Sequence, residues 1–562
     1  MRPEKPSLTS QPVSAKHNAV VFAFFWIVLF ILYLPAARAG MVGDFPGWLH
    51  YLKTFSFIDY INRAESHIAS LYQFKQLCMY LFYKLFATNP WPWHVLYISM
   101  QALVGYLLFC LCRNVFTDTG ISNAACIAFC GVLLFCVCPH ITEVVVWNPA
   151  YHYMQAFALQ LGILLLLHRY LYKQETKYAG WAALLFFLST YTLEVFYLTP
   201  LLTITLAIYY RAGLQYNKAV CRKVLVYFLL PQLLLFITHL IVLKAMYGTG
   251  IARVGSEAFQ PVVNYLQKPA KYIFHILFFG RFFPGDFRNK IYKWCDHTGM
   301  IITISIIIIA GSYILFRFRS FTARGKAIAL LFTWTLLGFA IVAPMTFPDS
   351  LLVIFDRYTY FIDAFIYLLL SLCVSGIRST YIRAFLFTGF LLVNLRFTIK
   401  VNHYWQWSAK MLSSLFSSYP GKDDKIVVLL NVPKCLKGVQ MINAETEGQF
   451  KTLRNELYTR QVTGKVYDGM GYNMETIADG ANVNVLNDTV VRVTLNQWGT
   501  WWWYGDLGGR SYENDDYKID VKDAGRMYEL TLKQKASNYM LLYQVGSKWR
   551  IVDMSKKNRT QD

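Results

Sequence analysis

The chain has 562 residues, of which 56% are hydrophobic and 17% aromatic, and a formal net charge of +22. Repeated apolar runs of about 20 residues are each long enough to cross a hydrocarbon layer of roughly 30 Å, which excludes a soluble protein and indicates a polytopic α-helical membrane protein. The positive charge fits loop lysines and arginines that set topology and meet lipid phosphate, so no nucleic-acid partner is expected. The eleven cysteines lie mostly inside apolar runs, without the spacing of a disulfide framework or a zinc site.

Residues 1–17 are polar and without periodicity and read as a disordered cytoplasmic tail. The first span is expected at about 19–37. Ala37-Arg38-Ala39 resembles a signal-peptidase site, but the apolar run is longer than the usual ~7–15 residues, so a retained span is expected. Ten more are expected at about 93–112, 122–138, 152–170, 179–193, 195–210, 223–245, 298–316, 327–344, 358–376 and 381–398, eleven in all. With the N-terminus inside, Arg113, Arg169, Lys173, Lys177, Arg211, Lys218, Arg222, Arg317, Arg319, Arg324, Arg378 and Arg383 all fall on the cytoplasmic side. The odd number leaves everything after residue 400 outside.

Two long loops are external by this reading. In the first, about 38–92, the segment Ile68 to Phe86 reads as one or two amphipathic helices in the interface. The second, about 246–297, carries Arg253, Lys268, Lys271, Arg281, Arg288, Lys290 and Lys293, against the usual charge bias, and suits an anionic lipid phosphate. Ordinary headgroup contact by these side chains is the competing reading.

The membrane part is taken as 18–400, followed by a linker at 401–422 and a β-rich domain at 423–562. The last part holds 18 of the 32 acidic residues. Its strands are expected at Ile426–Leu430, Thr489–Leu495, Tyr517–Val521, Met527–Leu532, Tyr539–Gln544 and Trp549–Val552, with a helix near 446–460. Trp498, Trp501, Trp502, Trp503 and Tyr504 suit sugar stacking, a membrane-facing edge or a β core.

An ionisable group in a bilayer costs about 2.5–3.5 kcal/mol on insertion scales and asks for a reason. Asp44, Glu143, Glu194 and Asp356 are all expected at the outer ends of spans. Asp44 stands in Gly40-Met41-Val42-Gly43-Asp44-Phe45-Pro46-Gly47-Trp48, where glycines let the backbone turn and aromatics suit the headgroup layer. Glu143 stands in Pro139-His140-Ile141-Thr142-Glu143-Val144-Val145-Val146-Trp147, Glu194 ends Thr192-Leu193-Glu194, and Asp356 opens Asp356-Arg357-Tyr358-Thr359-Tyr360.

These blocks, in this order, resemble the GT-C membrane glycosyltransferases, especially the protein O-mannosyltransferase and tetratricopeptide-linked O-mannosyltransferase branch. Pro139, Glu143, Val145, Trp147, Arg357, Tyr358 and Tyr360 match. Cys138 stands where the family has histidine, the family's lysine before Glu194 is Leu193, and a common paired acid is the single Asp44. The resemblance covers about residues 19–400, and no tetratricopeptide repeats follow.

It implies transfer of a monosaccharide, with inversion, from a polyprenyl-phosphate donor to an acceptor hydroxyl on a protein or cell-envelope glycan, at the outer face of a bacterial inner membrane. The active site and the C-terminal domain would then be periplasmic. Asp44 is the expected base, with an ordinary turn carboxylate as the bland reading. Glu143, Glu194, Arg357, Tyr358, Tyr360, Trp147, Arg253 and Lys268 are expected at the substrate, and so is His140, at the interface. Glu143 and Glu194 either contact substrate or pair with Arg357, and Arg357 either grips the donor phosphate or bridges an acid. No cofactor and no dedicated metal are expected. The alternatives are a lipid-linked glycan ligase or polymerase using a diphosphate donor, and a lipid or solute transporter.

Overall fold

A computed structural model describes residues 15–62, 70–214, 218–248, 262–296, 321–342, 356–418, 425–442, 464–496, 500–501, 509–523 and 526–554, with single positions between 301 and 311. Its helices are α1 (Ala15–Tyr33), α2 (Phe45–Thr54), α3 (Phe57–Asn62), α4 (Gln73–Phe86), α5 (Pro90–Asp118), α6 (Ala124–Cys136), α7 (Thr142–Val146), α8 (His152–Lys173), α9 (Lys177–Thr190) and α10 (Thr199–Leu214). They continue with α11 (Lys218–Val224), α12 (Leu230–Tyr247), α13 (Val262–Leu277), α14 (Gly285–Trp294), α15 (Ala323–Val342), α16 (Tyr360–Val374) and α17 (Thr380–Ser418). The protein is mainly helical, and its long apolar helices make it an integral membrane protein.

The expected count of eleven spans is not what the described residues show. Seven helices among them are long and apolar enough to cross a bilayer, or eight if the bent pair around Pro139 is one span. The difference has local causes. Helices α9 and α10 have 14 and 16 residues, about 21 and 24 Å at the α-helical rise, and a 3-10 turn at Glu194–Leu198 precedes α10. Helix α6 stops at Cys136, and the segment from Pro139 leaves at 53°. The run at 298–316 lies largely outside the described residues. Between α11 and α12 a π-helical turn, Leu225–Leu229, precedes Pro231, whose ring nitrogen cannot donate to the helical ladder.

The expected linker at 401–422 is mostly helix. The 39 residues of α17 run unbroken from Thr380 to Ser418, about 58 Å, so the last expected span and most of the linker are one rod. Its buried residues include Asn394, Thr398, Val401, Asn402, Trp405, Ser408, Met411 and Leu415, a stripe at helical spacing. Three of the polar ones meet backbone elsewhere. Thr398 donates to Val137 O at 2.7 Å, Asn402 to Leu32 O at 2.8 Å, and Ser408 to Gln440 O at 2.8 Å. The rod thereby stitches the helical part to the C-terminal sheet.

That region has strands β1 (Ile426–Leu436), β2 (Val439–Gln440), β3 (Val466–Met474), β4 (Ala481–Val485), β5 (Val490–Leu495), β6 (Thr500–Trp501), β7 (Tyr512–Glu513), β8 (Tyr517–Lys522), β9 (Met527–Leu532), β10 (Tyr539–Val545) and β11 (Lys548–Ile551). One sheet runs β11-β10-β1-β3-β6, with β2 folding back on β1, and the second runs β4-β5-β9-β8-β7. The first is mixed, since β1 lies parallel to both β10 and β3. The second is an antiparallel set. Tyr528 of β9 donates to Leu430 O of β1 at 2.6 Å, which ties one sheet to the other. The six expected strands are present, and β3 is an addition that its two glycines obscured. A Cβ on Gly469 would lie 3.1 Å from Leu429 O, so the bare backbone suits the close fit against β1. The helix expected near 446–460, and Trp498, Trp502, Trp503 and Tyr504, lie outside the described residues.

Candidate functional site

The loop before α2 is shaped by its glycines. Gly43 has φ +64°, and a Cβ there would sit 3.0 Å from the Trp147 indole nitrogen. A Cβ on Gly40 would come within 2.9 Å of Val146 O and collide with the Asn148 side chain. Two hydrogen bonds lock this packing, Trp147 Nε1 to Val42 O at 2.8 Å and Asn148 N to Gly40 O at 3.2 Å. A third comes from the far end of the chain: Gly43 N donates to Met441 O, just after β2, at 2.8 Å. Asp44 is the N-cap of α2, yet its carboxylate makes no capping hydrogen bond to that helix. Its charge acts instead on the Arg357 guanidinium.

Arg357 is the centre of the assembly. Its backbone N–H donates to Glu143 Oε2 at 2.9 Å and its Nη1 to Glu143 Oε1. The guanidinium lies 5.3 Å from the Trp147 ring centroid and 4.9 Å from that of Tyr358. Trp147 therefore faces the arginine and pins the Asp44 loop with its indole nitrogen. Of the acids considered as partners for Arg357, Glu143 is one that it takes.

Asp356 is buried among other groups. Its Oδ1 faces His275 Nε2 at 2.8 Å, its Oδ2 accepts from Arg281 Nη2, and His140 Nδ1 stands 3.7 Å from Oδ2, beyond hydrogen-bond reach. Two ion pairs thus start from neighbouring residues, Asp356 with Arg281 and Arg357 with Glu143, in which both acids and Arg281 are buried and Arg357 is half-buried. Burial pushes the His275 imidazole down to about 4, against the opposing pull of Asp356, so the ring is neutral near pH 7.

Glu194 accepts from Tyr72 OH at 2.7 Å and from Ser70. It shares one cavity with Tyr153 and Tyr358, whose remaining walls are apolar, among them Leu198, Ile341, Val342 and Phe361. Lys75, buried on α4, is 4.5 Å from the Trp48 ring centroid and 4.2 Å from that of Tyr72. The segment between α1 and α5 thus links the Asp44 helix to Glu194 through Trp48, Lys75 and Tyr72.

The expected residues are not all at this centre. Asp44, Glu143, Trp147, Arg357, Tyr358 and Glu194 come together through the contacts just given. Tyr360 does not join them: it is fully buried and donates to Gln101 Oε1 at 2.5 Å inside the helix bundle. It lies two residues beyond Tyr358, on the first turn of α16, and that step carries its ring into the core. His140, expected at the interface, is fully buried, because the turn after Pro139 folds it inward against His275 and Phe279. Lys268 is half-buried on α13, and burial, helped by the neighbouring Lys271, lowers its amine to about 8. It precedes Tyr272 and His275 by four and seven residues, on one helical face. Arg253 lies outside the described residues.

Sequence reasoning missed His275 and left Arg281 as one basic residue among seven. The one available signal was the unusual basic charge of that external loop, which does not say which cation turns inward. Chemically, the arrangement offers a carboxylate at the start of α2, a guanidinium held by Glu143, and a small, mostly apolar cavity lined by Glu194 and by Tyr358, the residue after Arg357. His140, His275 and Asp356 also offer two imidazoles and a carboxylate with ligand atoms within 4.8 Å of one another. No protein-family model matches this chain, and no curated protein matches it either.

Proposed function

We propose that the protein is a GT-C-type glycosyltransferase that moves a sugar from a polyprenyl-phosphate donor to an acceptor hydroxyl at the outer face of a membrane. The observation that carries this reading is the Trp147 bridge: its indole nitrogen holds the Asp44 loop at Val42 while its ring faces the Arg357 guanidinium. An acid and a cation from residues more than 300 positions apart are thereby brought to one place.

The chemistry follows from their roles. Asp44 takes the proton of the acceptor hydroxyl as its oxygen attacks the anomeric carbon from the face opposite the phosphate. The bond from that carbon to the phosphate oxygen breaks, and its electron pair leaves with the phosphate. Arg357, oriented by Glu143, stabilises the charge that develops there, at a half-buried position where a fixed cation acts more strongly than in water. The C-terminal region reaches the Asp44 loop through Met441 and would help present the acceptor.

The test is transfer by the purified protein in nanodiscs with polyprenyl-monophosphate sugar, beside the matching diphosphate lipid. Asp44→Asn is expected to remain folded and to bind donor while transfer falls by about 10²–10⁴-fold, the usual range for loss of a general base. Wild-type turnover in that variant removes Asp44 from the role. Transfer from the diphosphate lipid alone replaces the reading with a ligase or polymerase, and substrate movement across the bilayer without glycosyl transfer replaces it with a transporter.

A further inference from the structure

We infer that His140, His275 and Asp356 form a binding site for a divalent transition metal of the zinc class, which braces the segment carrying Arg357. This inference does not depend on the transferase reading.

Three elements distant in sequence supply the ligands. His140 stands in the 3-10 turn Pro139–Ile141, His275 in the last turn of α13, and Asp356 at the start of the turn that precedes α16. All three side chains are buried, and their ligand atoms lie within 4.8 Å of one another. Two imidazoles and one carboxylate are a donor set that zinc accepts, with metal–ligand bonds of about 2.0–2.2 Å and a fourth position left for a water.

A second observation points the same way. Both ring nitrogens of the fully buried His140 lack a hydrogen-bond partner among the described residues, as does Nδ1 of His275. A buried imidazole with neither nitrogen satisfied carries a desolvation cost, which a coordination bond offsets. The ion pair of Asp356 with Arg281 does not account for His140, since it satisfies only the carboxylate.

That ion pair instead has the form of an outer ligand shell. Arg281 holds Oδ2 of Asp356, and so directs Oδ1 toward His275 Nε2 at 2.8 Å. A bound ion takes the place of the proton shared between Oδ1 and Nε2, and a small rotation of the His140 ring completes the third contact. The backbone N–H of His140 donates to Cys138 Sγ at 3.4 Å, and Phe279 stacks on its ring with centroids 6.0 Å apart, which together fix the turn. Because Asp356 directly precedes Arg357, an ion here fixes the backbone from which that guanidinium projects.

The full-length protein, purified without chelator or a metal-affinity step, should carry about one equivalent of a first-row divalent metal by elemental analysis, the stoichiometry of a single three-ligand site. His140→Ala and His275→Ala should each lower it to background, while Glu143→Gln keeps it. The wild-type protein, stripped with a chelator and reloaded with Co²⁺, should show the strong visible absorption of a tetrahedral site, displaced by added Zn²⁺. This second measurement needs no variant and decides the matter if the alanine variants fail to fold. A wild-type protein that holds no stoichiometric metal and gives no such Co²⁺ spectrum overturns the inference and leaves Arg281 as the sole counter-charge of Asp356. Metal content unchanged in folded His140→Ala and His275→Ala overturns the assigned ligands.

Discussion

Asp118 and Asp356 both hold their carboxylates away from solvent among the helices, and their surroundings differ. Asp118, at the C-terminal end of α5, is met by His168 Nε2 at 2.8 Å, by Tyr210 OH at 3.1 Å and by Tyr172 OH. These partners come from α8 and α10. Asp356 instead has His275 from α13 and Arg281 from the turn that follows it, and its neighbour Arg357 is held by Glu143. Asp118 is a packing device: local helices satisfy it with hydroxyls and a ring nitrogen. Asp356 belongs to a charged assembly that lies beside a glycine-shaped loop and leaves histidine nitrogens unsatisfied. Burial of an acid therefore does not distinguish a site from a strut. The nature and origin of its partners does.

The comparison is most sharply tested at the acids themselves. Asp356→Asn leaves Arg281 buried opposite a neutral amide, and the expected loss is about 3–5 kcal/mol, the usual consequence of breaking one side of a buried ion pair. Thermal unfolding in detergent reads this as a large fall in midpoint. Asp118→Asn keeps an acceptor oxygen for its neutral partners and should cost only about 1–3 kcal/mol. Equal losses at the two positions would erase the distinction. A smaller effect is expected from Trp147→Phe, which preserves the ring beside Arg357 but deletes the hydrogen bond to Val42 O. Stability should fall by about 1 kcal/mol, and transfer activity should fall further than that loss explains, because the Asp44 loop is released.

The smallest effect calibrates the others with a surface pair. On β9, hydrogen bonds from Lys522 at 2.6 Å and then Arg492 at 2.8 Å hold the Glu529 carboxyl below the usual range. A carboxyl with a depressed folded-state value adds stability above its unfolded value and loses it as the pH falls through the folded one. Acidification below about pH 4 should therefore remove roughly 0.5 kcal/mol from the C-terminal region, as expected of an exposed pair, and Glu529→Gln should abolish that part of the acid sensitivity.

What could be read in advance follows a physical divide. The Asp44 loop was legible because Gly40 and Gly43 mark a backbone that something must approach, and Trp147 is what approaches. Glu143 and Arg357 were legible as rare charges at helix ends, though not as each other's partner. The face of Tyr360 was not legible, since a motif position carries no information about which way a turn presents it. His275 and Arg281 were hidden for a different reason: they lie 75 to 81 residues from Asp356, inside a segment that carries several other cations. Only the packing of α13 selects among them. The helix that continues through the expected linker was not legible because the buried stripe of α17 mixes apolar residues with Asn402 and Ser408, and so has the composition of a loop with the spacing of a helix.

The contact between Gly43 and Met441 has a consequence for how the chain can be recombined. A carbonyl next to β2 accepts the hydrogen bond of an amide one residue before the candidate base, in a spot where any side chain larger than hydrogen would strike an indole. A chimera joining these helices to a foreign tail would inherit every side chain named around Arg357 and still lose the tether that reaches the acid's loop.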